Sequence, residues 1–380
     1  MQMNEGTIMK NSFVVEQKAL LAILASMQPI CTKRTALDAT AYIFFHVGHK
    51  ELILKSTDLE ISLQASQPLK SGDVLEEQSF LVLGKRICEL VKELDGDITF
   101  YIADNQLHLM SGDIHLSLNI KSVQEFPPFP ERIENLMHMD APYLMHMLGK
   151  VSFLIPQNNA NPALNGLFWE ISDTEFRMTA TDGHCLAQAK TERYTLTDSK
   201  RWLLPRRAVF ELKKILESSS VAQLFIGICG NQLVFSGESF NFFTKLLHST
   251  FPEYRAILER DTFTPAQLDR AHFIKALRRS SCLLSGQFLA TLFGFKSDRL
   301  KISMKNKEVG TLEELVPLHQ FNGDIDVRFY APYLLSGLHV FPEEKISFYL
   351  KNATKPVIFE SKDNDFSLLY LVMPVAPTHG

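Results

Sequence analysis

The chain has 380 residues, of which 46% are hydrophobic and 22% charged, and its formal net charge at pH 7 is −4. This length is more than one hydrophobic core usually serves and predicts two or three domains. The acidic balance excludes nucleic-acid binding over the whole surface, although a basic patch offset by acidic faces is compatible with it.

Signals for targeting and redox chemistry are absent from the sequence. No apolar stretch approaches the roughly 20 residues that span a bilayer, and the opening MQMNEGTIMKNS lacks the apolar segment of a signal peptide. We therefore expect a cytoplasmic protein without membrane contact. The five cysteines are far apart, so no local pair has zinc or redox spacing. We expect reduced thiols, no metal and no cofactor.

Apolar periodicity predicts six helices. In chain order they are VEQKALLAILASM, GKRICELVKELD, DAPYLMHMLGKVSFL, PRRAVFELKKILESS, RAHFIKALRRSSCLL and APYLLSGLHVFPEE. In the second, Ile87, Val91 and Leu94 follow helical spacing before the stop signal at Gly96. The fourth opens on Pro205, a residue suited to a first helical position. Alternating segments such as DITFYIADNQLHLMSG, with a turn at Asp104–Asn105, predict antiparallel hairpins.

Several segments recur at an offset of about 125 residues. LILKSTDLEISLQA (52–65) returns as RMTATDGHCLAQA (177–189), ADNQLHLMSGD as CGNQLVFSGES, and FPPFPE as FPEYRA, with a fainter third copy in SDRLKISMKNKEV. We therefore predict an α+β protein built from three tandem copies of a domain with two helices on antiparallel sheet. The predicted domains are 1–130, 131–254 and 255–380.

The triplet Asp182-Gly183-His184 suggests a catalytic or metal site when taken alone. Its first copy, Thr57-Asp58, carries no histidine, which favours a structural turn. A hydrolase using Asp182 and His184 stays open as an alternative, but there is no nucleophile elbow, phosphate loop, CxxC or HExxH. A protein-interaction scaffold that never meets DNA is the other alternative.

Basic residues concentrate on three of the predicted helices. Lysine and arginine at helical spacing, without an interleaved aromatic platform, suit contact with phosphates and not reading of bases. The candidates are Lys85, Arg86, Arg206, Arg207, Lys213, Lys214, Lys275, Arg278 and Arg279.

The segments ALNGLFWEI (163–171), ATDGHCLA (180–187), FPEYRAIL (251–258) and YLVMPVAP (370–377) resemble the bacterial DNA sliding clamps, the beta subunits of DNA polymerase III. The resemblance runs from about Met9 to Pro377. It implies the DNA clamp fold and a head-to-tail homodimer that closes into a ring around double-stranded DNA. It also implies a non-catalytic processivity factor, which tethers the polymerase III catalytic subunit, the clamp loader and other clients.

The same resemblance assigns residues to three sites. Client peptides containing Gln and Leu or Phe would enter a pocket lined by Leu164, Thr181, Gly183, His184, Leu186, Pro252, Ile257, Phe288, Tyr333, Leu371, Val372, Met373 and Pro374. Arg34 would join the DNA-facing cations. The dimer seam would pair Leu116 and Leu118 with Leu283 and Leu284.

Three positions depart from the family pattern. Cys185, Ala256 and Ala376 stand where the family commonly has arginine. We therefore expect this chain to bind client peptides mainly through apolar contacts, with a weak dependence on salt.

Overall fold

The computed structural model describes residues 11–72, 74–130, 132–284 and 290–375. Its α-helices in these ranges are α1 (Gln17–Cys31), α2 (Gly84–Lys92), α3 (Ala141–Val151), α4 (Arg206–Ser218), α5 (Arg270–Ser281) and α6 (Ala331–Leu338). They confirm the six helices predicted from periodicity. No helix in the described part of the chain is long and apolar enough to cross a membrane.

Strands fill most of the remaining chain. The first third contains β1 (Phe13–Glu16), β2 (Tyr42–Val47), β3 (Glu51–Thr57), β4 (Ile61–Pro68), β5 (Ser71–Gly72), β6 (Gln78–Leu83), β7 (Asp97–Ala103), β8 (Gln106–Ser111) and β9 (Ile114–Lys121). The middle third contains β10 (Glu134–Asp140), β11 (Gly166–Ile171), β12 (Phe176–Thr181), β13 (Cys185–Thr191), β14 (Lys200–Pro205), β15 (Gln223–Cys229), β16 (Gln232–Ser236) and β17 (Phe240–Lys245). The last third contains β18 (Thr264–Asp269), β19 (Thr291–Lys296), β20 (Arg299–Asn306), β21 (Gly310–Pro317), β22 (Ile325–Phe329), β23 (Lys345–Leu350), β24 (Val357–Asp363) and β25 (Phe366–Val372).

The element order repeats three times. Apart from the two-residue β5, each third of the chain runs strand, helix, four strands, helix, three strands. Equivalent strands also pair in the same way, since β1 pairs with β7, β10 with β15 and β18 with β23, all antiparallel. The α+β class and the three tandem copies are therefore confirmed.

The chain divides into two compact units. The first comprises Met1–Pro142 with Phe210–Leu246, and the second Tyr143–Val209 with Leu247–Gly380. The first unit contains a 13-stranded sheet in which β17 pairs with β4, and the second contains an eight-stranded sheet in which β13 pairs with β25, besides a four-stranded sheet. Within each unit, successive copies of the repeat are thus joined by equivalent strands.

The helices form because each presents one apolar face to a sheet. In α5, Phe273, Ala276 and Leu277 are buried, while the basic residues Lys275, Arg278 and Arg279 are exposed. Helix α4 begins at Arg206, so the prediction that Pro205 opens it was wrong by one residue. Pro205 ends β14 instead, an edge strand that tolerates a residue without an N–H group.

The predicted hairpin turn at Asp104–Asn105 is confirmed. Both residues have positive φ, 51° and 59°, and they connect Ala103 to Gln106 across the β7–β8 pair. A two-residue turn with two left-handed residues matches the twist of the strands that it joins.

Candidate functional site

The Asp-Gly-His triplet forms the turn between β12 and β13. One carboxylate oxygen of Asp182 accepts hydrogen bonds from the backbone N–H of His184 (2.8 Å) and of Cys185 (2.7 Å). The Thr181 hydroxyl donates to the Cys185 carbonyl at 2.6 Å. Asp182 is therefore occupied in closing the turn.

The other two copies of the repeat contain the same turn. Asp58 accepts from the N–H groups of Glu60 (3.0 Å) and Ile61 (2.8 Å). Asn306 accepts from Glu308 (2.9 Å) and Val309 (3.2 Å). An asparagine serves in the third copy, so the motif needs a hydrogen-bond acceptor and not a catalytic carboxylate. In the described ranges no group of three or more His, Cys, Asp and Glu side chains could hold a metal ion.

The second copy differs from the others by what surrounds its turn. Gly183 has φ +96°, and a Cβ atom on it would lie 3.9 Å from the Leu164 side chain. The His184 ring stacks on Tyr333 with centroids 5.3 Å apart. The Met373 N–H donates to the His184 carbonyl at 2.9 Å, which ties the end of β25 to the turn. The exposed His184 ring, the half-buried Tyr333 ring and the end of β25 thus meet at this turn.

The strand pair β13·β25 supplies an apolar floor beside this turn. Leu186 lies opposite Leu371, and both belong to a buried cluster that Met373 covers. Cys185 lies opposite Val372. Since side chains alternate along a strand, Val372 faces away from Leu371 and is fully buried on the other side.

The remaining expected pocket residues lie on other segments of the chain. Pro252 is exposed and lines a cavity of about 280 Å³ together with Phe251 and Leu203. Ile257 is 37% exposed, and its N–H donates to the Tyr254 carbonyl. Pro374 directly follows Met373. Phe288 lies outside the described residues, so the structure says nothing of its place.

The positions that depart from the family pattern carry no charge in the site. Cys185 is buried, and burial raises the pKa of its thiol well above the ordinary range, so the thiol is protonated at neutral pH. Ala256 is exposed. Ala376 falls outside the described residues.

The expected DNA-facing cations separate into two groups. Arg34, Lys275 and Arg278 are exposed and form no ion pair with any residue that the structure describes. The rest of the set are engaged within the molecule. Lys85 and Arg86 pair with Glu89, Lys214 pairs with Glu211, and Arg206 donates to the Ile155 carbonyl. Lys213 lies over the Phe210 ring, and Arg207 is half-buried.

Arg279 is the most strongly engaged of these cations. Its guanidinium donates to both carboxylate oxygens of Glu314 on β21, one of them at 2.8 Å. This hydrogen bond lowers the pKa of Glu314 below its usual range and raises that of Arg279. The pattern of charges in the sequence could not show that a carboxylate 35 positions later in the chain neutralises Arg279.

The four leucines of the expected dimer seam are all partly exposed. Leu116 and Leu118 lie on β9, and Leu283 and Leu284 follow the end of α5. The Leu283 carbonyl accepts from the Asn306 side chain at 2.7 Å, which connects this segment to the turn before β21.

Sequence reasoning missed one feature of the site. The segment after β17 is held by Glu170, whose carboxylate accepts from the Tyr254 hydroxyl and from Arg255. The signal was available in the repeat, because FPEYRA contains a Tyr-Arg pair that FPPFPE lacks.

The chain is similar to known proteins along almost its full length. Models of the DNA polymerase III beta subunit match its N-terminal domain at residues 11–130, its central domain at 138–253 and its C-terminal domain at 255–376. The beta sliding clamp of Pseudomonas aeruginosa is 26% identical over 367 residues, which are 96% of this chain and 99% of that protein. The Staphylococcus epidermidis beta sliding clamp is 24% identical over 383 residues, 98% of this chain and 99% of its own length.

Solved structures agree on the fold. A crystal structure of the Pseudomonas aeruginosa DNA polymerase sliding clamp with ligand superposes with a TM-score of 0.88 at 23% identity, covering 96% of this chain and 100% of that one. A Bacillus subtilis sliding clamp also gives 0.88, at 22% identity, covering 96% and 99%. With three family domains matched in order along almost its full length, the chain belongs to the DNA polymerase III beta subunit family of non-catalytic sliding clamps.

Proposed function

We propose that two copies of this chain close head to tail into a ring around duplex DNA. The ring slides without reading sequence and tethers the polymerase III catalytic subunit, the clamp loader and other clients. The proposal rests on a strand joint, by which we mean the pairing of equivalent strands from successive copies of the repeat. This joint forms twice within the chain, as β4 with β17 and as β13 with β25. The equivalent strands of a third joint, β21 and β9, are not paired with each other in the part of the chain that the structure describes.

The joint uses the same strand positions each time. In the first unit Ser62 of β4 lies opposite Phe243 of β17, and in the second Leu186 of β13 lies opposite Leu371 of β25. The third copy offers β21 as the equivalent of β4 and β13, and among the described residues β21 pairs only with β20. The first copy offers β9, which pairs with β6 only at Ile120 and Lys121.

Transferring the register gives the contacts of the third joint. Thr311 is the equivalent of Ser62, and Ser117 is the equivalent of Phe243. Thr311 of one copy would therefore lie opposite Ser117 of the other, and Leu312 opposite Leu116. The corresponding pairs inside the chain, Leu63–Phe242 and Ala187–Tyr370, are also apolar. This supports the joint as an interface between copies.

The leucines after α5 fit the same scheme. In the second unit Phe153, which follows α3, lies 6.0 Å from the ring of Tyr370 on β25. Leu283 and Leu284 follow α5 as Phe153 follows α3, and Leu116 is the equivalent of Tyr370. We therefore place Leu283 and Leu284 against Leu116 and Leu118 of the partner.

A ring around DNA does not need many cations that are free to contact phosphates, and few of the candidate DNA-facing cations are free. Nonspecific binding through charge has a Kd of roughly 10⁻⁵ M and steered association runs near 10⁸ M⁻¹s⁻¹, so a patch would release DNA at about 10³ s⁻¹. A dwell of about a millisecond cannot support long synthesis. A closed ring replaces affinity by topology, and Arg34, Lys275 and Arg278 then need only weak phosphate contacts.

We place client binding at the turn of the second copy and its apolar floor. The stacked His184 and Tyr333 rings, the Leu186–Leu371 pair and Met373 support this assignment. A concave apolar surface with a few fixed polar groups suits the anchors of a short peptide.

We also propose the domain boundaries 1–130, 131–254 and 255–380, since each matched family segment falls inside one of these ranges. A cytoplasmic location follows from the role in replication.

The test joins the open joint covalently. Leu116→Cys with Leu312→Cys is built in a background in which Cys229 and Cys282, the more exposed native thiols, become serine. Opposite residues of an antiparallel pair have Cα atoms about 4.5–5.5 Å apart, which a disulfide accommodates. The protein is mixed with a nicked circular plasmid, oxidised and passed through a sizing column in high salt. We expect protein to remain on the circle and to leave when the plasmid is cut afterwards.

Retention that survives cutting would contradict encirclement and indicate ordinary binding. A cross-linked dimer that never remains on circles would favour the scaffold alternative.

A further inference from the structure

The segment between β17 and β18, residues 246–263, carries one wall of the proposed client pocket. Its aromatic residues pack on the sheet: Phe251 stacks on Phe168 of β11 at 4.7 Å, and Tyr254 meets the edge of Phe251 at 5.9 Å. Pro252 lies between these two anchors and Ile257 follows them. The position of both wall residues therefore depends on how Phe251 and Tyr254 are held.

A buried polar network holds Tyr254. Its hydroxyl donates to the carboxylate of Glu170, which is 9% exposed, and Arg255 donates to the same carboxylate at 2.8 Å. Gln188 and Thr179 donate to the Tyr254 oxygen at 3.1 Å and 3.3 Å. Burial, followed by the hydrogen bond to Glu170, raises the pKa of Tyr254, so the hydroxyl stays protonated and remains a donor.

The first copy of the repeat keeps the aromatic packing and lacks the network. Phe44 takes the place of Phe168 and meets Phe126, the equivalent of Phe251, at 5.5 Å. His46 stands where β11 has Glu170. Phe129 and Pro130 stand where the later segment has Tyr254 and Arg255, and neither can donate a side-chain hydrogen bond.

The first and second copies of the repeat share some contacts of this segment and differ in others. The strand joint and the aromatic contact occur in both of these copies, so they suffice to seat the segment on its sheet. Of the two copies compared, the polar network occurs in the one whose turn carries Gly183, His184 and an apolar floor. A buried carboxylate is costly unless every donor is present, so its retention at this one junction calls for a role beyond folding.

We propose that Glu170, Tyr254 and Arg255 are positioning residues that fix Pro252 and Ile257 in the orientation that receives the client peptide. The network pre-orders this wall, so that binding does not bear the entropy of ordering it. This inference rests on the proposed client site.

The experiment measures binding of a fluorescein-labelled synthetic peptide carrying the Gln, Leu and Phe residues expected of clients, by anisotropy, to the full dimeric chain. Tyr254→Phe removes one hydroxyl and keeps the ring. We expect its Kd to rise about tenfold, which corresponds to the lower end of the range for the loss of a hydrogen bond to a charged group. Arg255 lies on the exposed side of the network, so we expect Arg255→Gln to raise the Kd less than Tyr254→Phe does.

Glu211→Gln is the matched control. Glu211 pairs with Lys214 on α4 and is similarly shielded, with 11% side-chain exposure. Its Kd should equal that of the unmodified chain, and all variants should sediment as dimers.

Three results would overturn the proposal. Tyr254→Phe and Arg255→Gln could both bind with unchanged Kd, or Glu211→Gln could weaken binding as much as they do. Tyr254→Phe could also bind more weakly only because less of it is folded dimer. If its Kd returns to that of the unmodified chain once this fraction is corrected for, the proposal fails as well. If the unmodified chain binds no peptide, the proposed client site fails instead, whereas a dimer that binds peptide normally in every variant refutes only the network.

Discussion

At the scale of single residues, the side chain at one position of the repeated turn closes that turn in all three copies. Asp182, Asp58 and Asn306 each accept two backbone N–H groups that would otherwise lack a partner at the start of a strand. What varies is the next residue: Leu59 has φ +73° in the first copy, where Gly183 has φ +96° in the second. The left-handed position is therefore shared by the first two copies, and glycine adopts it without strain in the second, where a Cβ atom would make only ordinary contact with Leu164.

This predicts a clear difference between two substitutions of Asp182. Asp182→Ala removes the acceptor and should lower the free energy of unfolding by about 1–2 kcal/mol, measured by urea denaturation. Asp182→Asn should stay within about 0.5 kcal/mol of the unmodified chain, because an asparagine fills this role in the third copy. An equal loss in both variants would mean that the charge of Asp182, and not its acceptor, matters.

Residue identity was predictable from sequence only where the task is local. The Thr-Asp echo pointed to a turn because the hydrogen bonds that close the turn at Thr181 and Asp182 reach at most four residues along the chain. The Arg279–Glu314 pair and the Glu170 network join residues far apart in sequence. The repeat shows that Tyr254 and Arg255 differ from the first copy, but no spacing rule could have identified Glu170 or Glu314 as a partner before the strand pairing was known.

At the scale of elements, helix α5 shows that a basic face is not a uniform surface. Lys275 and Arg278 are exposed, whereas Arg279 fastens the helix to β21 through Glu314. Because Arg279 lowers the folded-state pKa of Glu314, the stability from this pair is present at neutral pH and is lost as pH falls through that pKa.

Substitutions on this helix should therefore act differently on DNA binding. Lys275→Gln with Arg278→Gln should reduce the slope of log K against log salt by about two, measured with a short duplex by anisotropy. Arg279→Gln should leave the slope unchanged and should make unfolding easier at neutral pH. Equal slopes in the two variants would show that Arg279 also contacts phosphate.

The helices were the best predicted elements because each has one apolar stripe of regular period. Their bounds shifted by one or a few residues, as at Pro205. The strands were predicted as a class, but their partners were not, since pairing β17 with β4 requires positions from different copies of the repeat.

At the scale of the whole molecule, the threefold repeat could be predicted from four weak sequence matches, because they share one offset. The family resemblance supplied the ring, which composition alone would not suggest for an acidic chain. The proposed pairing of β9 with β21 gives that ring a specific register.

The interface prediction follows from this register. Leu283→Ala with Leu284→Ala should yield monomers at micromolar concentration in sedimentation velocity, because the apolar contacts beside the strand joint are removed. The matched control is Leu37→Ala, which alters a leucine that is 38% exposed and not assigned to the seam. An intact dimer in the double variant would contradict the assignment of these leucines.

Covalent continuity makes the strand joints unequal. Two of them form within one polypeptide, where the partner strand is present at a high effective concentration, while the proposed joint between β21 and β9 of two copies would depend on the concentration of free chains. Dilution alone should therefore part the assembly there and leave the two internal joints intact. Such a ring would therefore open to admit DNA at the joint between two chains, and not at a joint within one chain.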